Sequence, residues 1–493
     1  MACSAICFRE TVSVLQSANC CYIPKICSSP NLKSSTGSFR NWVRSSSLAH
    51  LSRKFNHLLL VRFLFAEVLF DSVVHQPGID MIPADSNTNK LKTASFKLFM
   101  TVCSMEGKSS DMTVGSLDLP QSDRFVYYRQ VLGPPPPDSD WWDKKLFSGP
   151  VVVRDSCTVD KTQSFRYRMY YYGRDSDLWA RGVTPFNPYL PTGRVGMAVS
   201  QDGLSFTRYK GHLSGGAMNP SPDSEAFDAV HLGVSDVLFD ADGGDWHMYY
   251  FGGSFDELPI PGGPTDKKFR GVRLQPGFAM SKDGLSFEDR KGPILELGDA
   301  DSWDKNGVSW PRVIPPKGGE DRKWFMTYHT RETEGPTGFG CYTPGIATST
   351  DGENWVKGGK VLSLGAPGSW DEGGASVRHV LKIGDQFVMF YEGSDFKFQY
   401  AIGLAVSDDG IIWERDQNCG PEPGGPILRA RTGEDFGDNV LVGTPYVLAM
   451  EDGSFRMYYF GVGKFEGDKT SQRGIGLAIS DGENYRSWRR FNE

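Results

Sequence analysis

Three short phrases recur five times along the C-terminal three quarters of this 493-residue chain, and this repetition constrains the fold more than any other feature. In the first phrase a methionine lies in a run rich in aromatic residues, and its copies centre on Met169, Met248, Met326, Met389 and Met457. The spacings between these methionines are 79, 78, 63 and 68 residues. Repetition at such periods is typical of propellers and arrays and excludes a single unrepeated core.

Each repeat predicts four short strands. A valine-rich run that follows an aspartate gives the first strand, and the five aspartates are Asp143, Asp228, Asp304, Asp371 and Asp438. The methionine run gives the second strand, because aromatic residues favour strands. A Gly-x-Ala-x-Ser phrase gives the third, and its copies begin at Gly196, Gly277, Gly345, Gly403 and Gly476. A tight turn around Asp-Gly then leads into an aromatic fourth strand, since glycine accepts positive φ and aspartate bonds its own backbone.

Four-stranded units repeated radially form a β-propeller. The sequence therefore predicts an all-β protein, a five-bladed β-propeller with four antiparallel strands per blade. No repeat shows the 3.6-residue apolar period of a helical solenoid. The aspartates and the tight turns occur in every repeat, so we interpret them as structural, whereas a polar side chain found in one repeat only is a better candidate for function.

The first fifty-odd residues differ from the repeats in composition. Residues 1–54 contain seven Lys or Arg, twelve Ser and a single acidic residue, Glu10, which is typical of an organelle transit peptide. We therefore predict a transit segment at 1–55, a linker or disordered extension at 56–120 and the propeller at 121–493. The predicted location is the chloroplast; the alternative is a cytoplasmic protein with a disordered N-terminus.

Composition and charge exclude several classes of protein. The chain is 39% hydrophobic and 13% aromatic, which is enough for a large core. Its net charge of −7 disfavours nucleic acid and anionic membranes as partners. No apolar run reaches the ~18 residues of a membrane span. The nine cysteines show no metal-binding spacing in the repeats, so we expect no metal and no cofactor.

The phrase Gly-x-Ala-x-Ser-x-Asp-Gly-x-x-Trp after Met-Tyr-Tyr-x-Gly resembles the five-bladed propeller glycosidases. These form the arabinanase, levansucrase and invertase superfamily, which includes glycoside hydrolase family 43, and the resemblance covers Ser122–Glu493. It implies a monomer that acts on a carbohydrate through three carboxylates, placed just before a proline on the first strands of successive blades. By our alignment the proline position reads Pro150, Asp236, Pro311, Arg378 and Pro445. The two positions before it carry no acid, so only Asp236 matches a family carboxylate.

Other candidates come from the end of the propeller where first strands begin and second strands end, which we call the mouth. The last position of the second strand reads Tyr172, Phe251, His329, Glu392 and Phe460. Glu392 and His329 interrupt this aromatic set, and Glu372 occurs in one blade only. Because glycoside hydrolysis needs two carboxylates, our best catalytic pair is Asp236 with Glu392 or Glu372.

Candidate substrate-binding residues surround this pair. The position after the proline reads Val151, Val237, Arg312, His379 and Tyr446, and its polar members either line the axial channel or pair with neighbouring blades. Arg312 and Arg378 can orient carboxylates or sugar hydroxyls. Trp179, in a long loop, is a candidate platform for a sugar ring. We expect Asp236, His329, Arg378 and Glu392 to converge on the axis, with Arg378 paired to Asp236 or Glu392.

Two functions remain open at this point. The leading interpretation is a glycoside hydrolase that cleaves an oligo- or polysaccharide in the axial cleft. The alternative is a propeller that binds a carbohydrate or a protein without catalysis. Two carboxylates at glycosidase separation favour the enzyme. A mouth lined by Arg, His and aromatic residues favours the binding protein.

Overall fold

The computed structural model describes residues 130–491, apart from 137, 156–164, 186–189, 212, 214, 260–267, 317–321, 333–340, 421, 432–437 and 465–470. The predicted transit segment (1–55) and linker (56–120) lie outside the described residues. The chain divides into two compact units, Met1–Gly115 and Ser116–Glu493, and the second contains every described residue. Within the described part, no helix is long and apolar enough to cross a membrane.

Five sheets follow one another along the chain. The strands of the first two are β1 (Leu146–Arg154), β2 (Tyr167–Arg174), β3 (Arg194–Ser200), β4 (Thr207–Arg208) and β5 (Gly216–Met218), then β6 (His231–Asp240), β7 (Asp245–Gly253), β10 (Leu274–Ser281) and β11 (Asp289–Lys291). A small hairpin, β8 (Leu258–Pro259) and β9 (Lys268–Phe269), lies within the second repeat.

The strands of the other three sheets are β12 (Ser309–Ile314), β13 (Trp324–Arg331), β14 (Tyr342–Ser349) and β15 (Val356–Lys360), then β16 (Ala375–Ile383), β17 (Gln386–Ser394), β18 (Tyr400–Ser407), β19 (Glu414–Arg415) and β20 (Leu428–Arg429), then β21 (Leu441–Ala449), β22 (Phe455–Gly463), β23 (Gln472–Asp481) and β24 (Asn484–Arg490). Each sheet is antiparallel, and β1, β6, β12, β16 and β21 pack side by side in a closed ring. The prediction of a five-bladed propeller is confirmed.

The blades share one register. In every blade the methionine of the second strand lies opposite a valine of the first strand and an alanine of the third, as in Val152, Met169 and Ala198. The five methionines are Met169, Met248, Met326, Met389 and Met457, and all are fully buried. Their equivalence was expected from the phrase alone and is confirmed by the pairing.

The aspartate before each first strand holds its own blade together. Asp371 accepts hydrogen bonds from the Tyr391 hydroxyl at 2.9 Å and the Arg415 side chain at 2.7 Å. The other four aspartates each have a basic partner from the fourth strand, at 2.5 to 3.0 Å: Asp143 with Arg208, Asp228 with Arg290, Asp304 with Lys357 and Asp438 with Arg490. These buried ion pairs link the first strand to the last, which agrees with a structural role.

The tight turns fasten adjacent blades. The Tyr170 hydroxyl donates to the carbonyl of Gly284 in the next blade at 2.7 Å. Tyr249 donates in the same way to Gly352 at 2.9 Å. Tyr458 of the last blade donates to Gly203 of the first, also at 2.9 Å, so the contact crosses the closure of the ring.

Residues 131 and 132 complete the ring. By analogy with the residues before the third repeat, Arg124–Val131 is expected to act as a fourth strand that docks on the last blade near residues 487–491; residues 124–129 of this run lie outside the described part of the chain. Just after the run, Leu132 pairs with Ile475 of β23, the third strand of that blade, and the Ile475 N–H donates to the Leu132 carbonyl at 2.9 Å. The Phe206 N–H of the first blade donates to the Val131 carbonyl at 2.8 Å. This two-residue segment therefore joins the last blade to the first.

Candidate functional site

The pairing of first and second strands corrects one alignment made from sequence. Asp236 lies opposite Tyr249, and Arg312 and Tyr446 lie opposite the equivalent residues of their own blades. Asp236 therefore belongs with the residues after the proline, and Ser235 takes the proline position. We call the corrected set the axial column; its members are Val151, Asp236, Arg312, His379 and Tyr446.

The axial column is buried and bonded across blades. Asp236 accepts the Val313 N–H at 3.1 Å, and His379 Nδ1 accepts the Val447 N–H at 3.1 Å, in each case from the following blade. The Tyr446 hydroxyl reaches Asp236 from the last blade at 3.3 Å. The first strand of each blade lies at the axis and pairs with the second strand on one side only. The backbone N–H and C=O groups on its other side therefore need partners from elsewhere. Of the two open readings of these residues, contact with neighbouring blades is the one observed.

Burial sets the ionisation of this column. Asp236 is 2% exposed, and burial raises its pKa to about 6, against the opposing effect of the Arg312 guanidinium. Burial also lowers the pKa of Arg312, whose side chain donates to the carbonyls of Ser235 and Arg378. The carboxyl thus sits where its neutral form is favoured.

The pH dependence of stability provides a test of this environment. The folded pKa of Asp236, about 6, exceeds the unfolded value of ~3.9, so its contribution is full below about pH 4 and is lost as pH rises through 6. We expect wild type to lose about 3 kcal/mol relative to Asp236→Asn between these values. Urea unfolding of both proteins at several pH values measures this difference. A constant difference across the range would contradict the buried placement.

Trp310 fills the axis above this column. It occupies the position just before the proline, where the resemblance leads us to expect an acid, and its backbone has a φ of 50°. The indole lies 4.0 Å from the Phe251 ring and 5.0 Å from the His329 ring, measured between centroids. Its N–H donates to the Tyr172 hydroxyl at 3.3 Å. The Trp310 side chain of the third blade thereby contacts both the first and the second blade.

Among the described residues, Arg378 pairs with no carboxylate. Its guanidinium contacts His329 Nδ1 at 2.9 Å and donates to the carbonyls of Ser376 and Trp310, each at 2.8 Å. Our expectation of a pair with Asp236 or Glu392 is therefore wrong in this structure. The reason is that Arg378 is fully buried. Its terminal N–H groups are already used by the carbonyls of Ser376 and Trp310, which lie at the bulges of β16 and β12. Burial and this cation together hold the pKa of His329 well below its usual range, so His329 is neutral.

Glu392, near the end of β17, is held by residues of two blades. One carboxylate oxygen accepts the Ser376 hydroxyl at 2.6 Å, and the other accepts the Thr444 N–H of the next blade at 2.7 Å. A Cβ on Gly443 would lie 2.1 Å from the second oxygen, so only glycine permits this approach. Glu392 remains partly exposed, and burial of its carboxyl raises its pKa.

Tyrosines from neighbouring strands surround Glu392. Tyr342 contacts His329 edge-on with centroids 5.4 Å apart, and Tyr400 lies opposite Ser394, two residues after Glu392. Both tyrosines are partly exposed, and the Glu392 charge is among the causes that raise their pKa values. This cluster thus combines aromatic residues with the Glu392 carboxylate. Further acids lie in the loops that follow the second strands: Asp175, Asp177, Asp256, Glu257, Glu332 and Asp395.

The structure does not bring the remaining candidates into this cluster. Glu372 lies in the turn before β16, where its carboxylate accepts the Gly368 N–H at 2.6 Å. Trp179 is 1% exposed, and its ring stacks on His231 with centroids 4.1 Å apart. An open sugar platform at Trp179 therefore does not fit the structure, because His231 covers the indole face.

Sequence reasoning missed Trp310, Ser376 and Thr444. Trp310 carried a signal, because the four equivalent positions hold Gly149, Val234, Val377 and Thr444, all much smaller. Ser376 and Thr444 act through a hydroxyl and a backbone N–H, which no residue pattern identifies. The described residues contain no group of three His, Cys, Asp or Glu side chains placed to hold a metal ion.

Comparison with solved structures shows what this chain is similar to. A solved structure of BT0996, in an RGII complex, matches with a TM-score of 0.50 and 20% identity, over 76% of this chain and 99% of that one. The chain has the fold of the five-bladed propeller glycosidases. A glycoside hydrolase matches with a TM-score of 0.47 and 20% identity, over 76% of this chain and 99% of that one. A thermostable family-43 glycoside hydrolase matches with a TM-score of 0.46 and 16% identity, over 70% of this chain and 93% of that one.

The sequence comparisons give no family. No protein-family model and no curated protein matches this chain. The resemblance seen in the repeats is thus confirmed in the fold, and activity has to be argued from the site itself.

Proposed function

We propose that this protein is a carbohydrate-binding propeller that holds a sugar at its mouth, around Glu392, without hydrolysing it. The observation that carries this proposal is the occupancy of the five positions before the proline: Gly149, Val234, Trp310, Val377 and Thr444 contain no acid. Hydrolysis needs two carboxylates that both reach the glycosidic bond. Of the two candidate acids on the strands themselves, Glu392 lies near the tyrosines, and Asp236 lies beneath Trp310 with its oxygens bonded to blade backbones.

The mouth offers what a neutral sugar needs. Tyr342 and Tyr400 present partly exposed aromatic rings for the apolar face of a pyranose or furanose. Glu392 is a hydrogen-bond acceptor for hydroxyls, positioned by Ser376 and the Thr444 N–H. Such a mixture of aromatic surface and a few placed polar groups is typical of small-ligand sites.

The experiment combines a binding assay with a product assay. Arabino-, xylo-, manno-, cello- and malto-hexaose are tested by ligand-observed NMR and by chromatography of the sugars after prolonged incubation. We expect binding without shortened products, and about tenfold weaker binding in Glu392→Gln, which is ~1.4 kcal/mol. Glu414→Gln, on the fourth strand of the same blade, is the matched control and is expected to bind as wild type. If no hexaose binds at the mouth, the proposal fails.

One observation favours hydrolysis as a second candidate. The raised pKa of Glu392 suits a general acid, which has to hold its proton near neutral pH. In that case Glu392→Gln abolishes product formation from a hexaose that wild type shortens, and the unfolding temperature changes little. If wild type shortens a hexaose, the protein is a hydrolase and the proposal of binding without catalysis is wrong.

A further inference from the structure

A second candidate site lies on the outer side of the propeller, in a groove between the second and third blades. The groove has a cavity volume of about 810 Å³ and is formed by the segment after β11, the turn before β15 and the residues before β12. Trp303 and Trp355 are its largest lining side chains, and both are partly exposed. Its volume falls within the ~300–1,000 Å³ typical of ligand sites.

Comparison of the blades explains why the groove is open here. In the first, third and fourth blades a tryptophan packs on the first glycine of the third strand, as Trp142 on Gly196, Trp303 on Gly345 and Trp370 on Gly403. Trp142 donates its indole N–H to the Gly215 carbonyl at 3.1 Å, and Trp370 donates to Gly424 at 3.0 Å. Both carbonyls belong to loops that follow the fourth strand of the blade.

The third blade has no such loop. Its fourth strand, β15, ends at Lys360, and the Val361 N–H immediately donates to the Pro344 carbonyl at 3.0 Å. Trp303 therefore has no loop carbonyl above it, and its indole N–H makes no hydrogen bond within the described part of the chain. The Trp303 ring stacks on Tyr328, and the Lys360 ammonium lies over the ring at 5.5 Å from its centroid. The groove thus exposes the part of the indole that these two residues leave open, together with an unused donor.

Trp355 forms the opposite wall. It packs edge-on against Tyr249 of the second blade, with centroids 6.3 Å apart, and donates its N–H to Gly352 at 3.1 Å. The equivalent tryptophan of the fourth blade, Trp413, makes the same bond to Gly410 but is buried. The two tryptophans of the third blade are therefore held rigidly from behind and accessible from the groove.

The charges of the groove disfavour an ionic ligand. Lys291 pairs with Glu353 at 2.7 Å, and Lys357 pairs with Asp304 at 2.6 Å. Glu296 and Asp299 add further acidic groups, so phosphorylated or sulfated ligands meet no free cluster of cations. An added peptide strand is also disfavoured, because Gly359 has a φ of 97° and β15 has a bulge where it pairs with β14.

From these observations we infer that the groove between Trp303 and Trp355 is a second binding site for a neutral oligosaccharide. The indole faces cover the apolar faces of sugar rings, and the Trp303 N–H and the exposed polar side chains of the rim meet hydroxyl groups. The inference does not depend on the mouth, since none of its residues belongs to the cluster around Glu392.

Matched phenylalanine variants test the inference on the full chain. The probes are arabino-, xylo-, manno-, cello- and malto-hexaose, and affinity is measured by ligand-observed NMR titration. We expect at least one hexaose to bind the Glu392→Gln chain, in which the mouth is weakened, and Trp303→Phe and Trp355→Phe in that chain each to weaken the remaining binding at least tenfold. Trp370→Phe and Trp413→Phe change the equivalent residues of the fourth blade and are expected to leave it unchanged. Phenylalanine keeps an aromatic ring against Tyr328 and Tyr249, so we expect the variants to fold.

Glu392→Gln separates this site from the mouth. Hexaose binding that survives Glu392→Gln and is lost in both groove variants supports the groove. Binding that is lost in Glu392→Gln alone overturns the groove and leaves the mouth intact. The inference is also overturned if no hexaose binds, or if only peptides bind to the groove.

Discussion

A chain that lacks residues 1–132 is expected to unfold at a much lower urea concentration than one that lacks residues 1–115. The shorter deletion ends where the second compact unit begins. The longer one also removes Val131 and Leu132, each 3% exposed, which join the last blade to the first. Burial of two such side chains contributes about 3–6 kcal/mol, a large part of the ~5–15 kcal/mol that stabilises a typical domain.

A point substitution separates ring closure from simple shortening. Leu132→Ala in the full chain is expected to cost about 2–5 kcal/mol, because Leu132 is a buried residue that pairs with β23. Leu428→Ala is the matched control, since Leu428 takes the same place beside Ile402 in the fourth blade and is similarly buried. Equal stability of the two truncated chains would show that residues 131–132 do not close the ring.

The number of blades could be predicted from the sequence because each blade repeats the same demands. A buried Met169 or Met248 has to face a small residue on the third strand, and an anchoring Asp143 or Asp228 has to face a basic residue on the fourth. Selection for packing therefore keeps the same residue types at the equivalent positions of every repeat. Strand order follows from these residues directly, and so does the register at each methionine.

The site was harder to predict because its geometry depends on bulges and on burial. Asp236 was placed one position too early, since the second blade lacks the proline that marks the bulge in the first, third and fifth. Arg378 and Trp179 were expected to face a ligand, yet a strand carbonyl and a histidine ring cover them. The sequence shows which residues are unusual, and only the packing shows which of them remain accessible.

Asp236→Leu is expected to destabilise the propeller by about 3–5 kcal/mol at pH 7. The substitution leaves the Arg312 guanidinium, which is 2% exposed, without a nearby opposite charge, and it leaves the Val313 N–H without its acceptor. Asp236→Asn is the control, because it removes the same charge while an amide oxygen still accepts that N–H. Urea unfolding at pH 7 compares the three proteins.

The two variants also separate a structural role of Asp236 from a catalytic one. If the axial column only joins blades, Asp236→Asn keeps both the stability and the sugar binding of wild type, whereas Asp236→Leu loses stability first. If Asp236 acts on a substrate, Asp236→Asn loses turnover while its unfolding midpoint stays near that of wild type. The bonds of Asp236 to Val313 and Tyr446 favour the first result, because a carboxylate held by two other blades is positioned to support them.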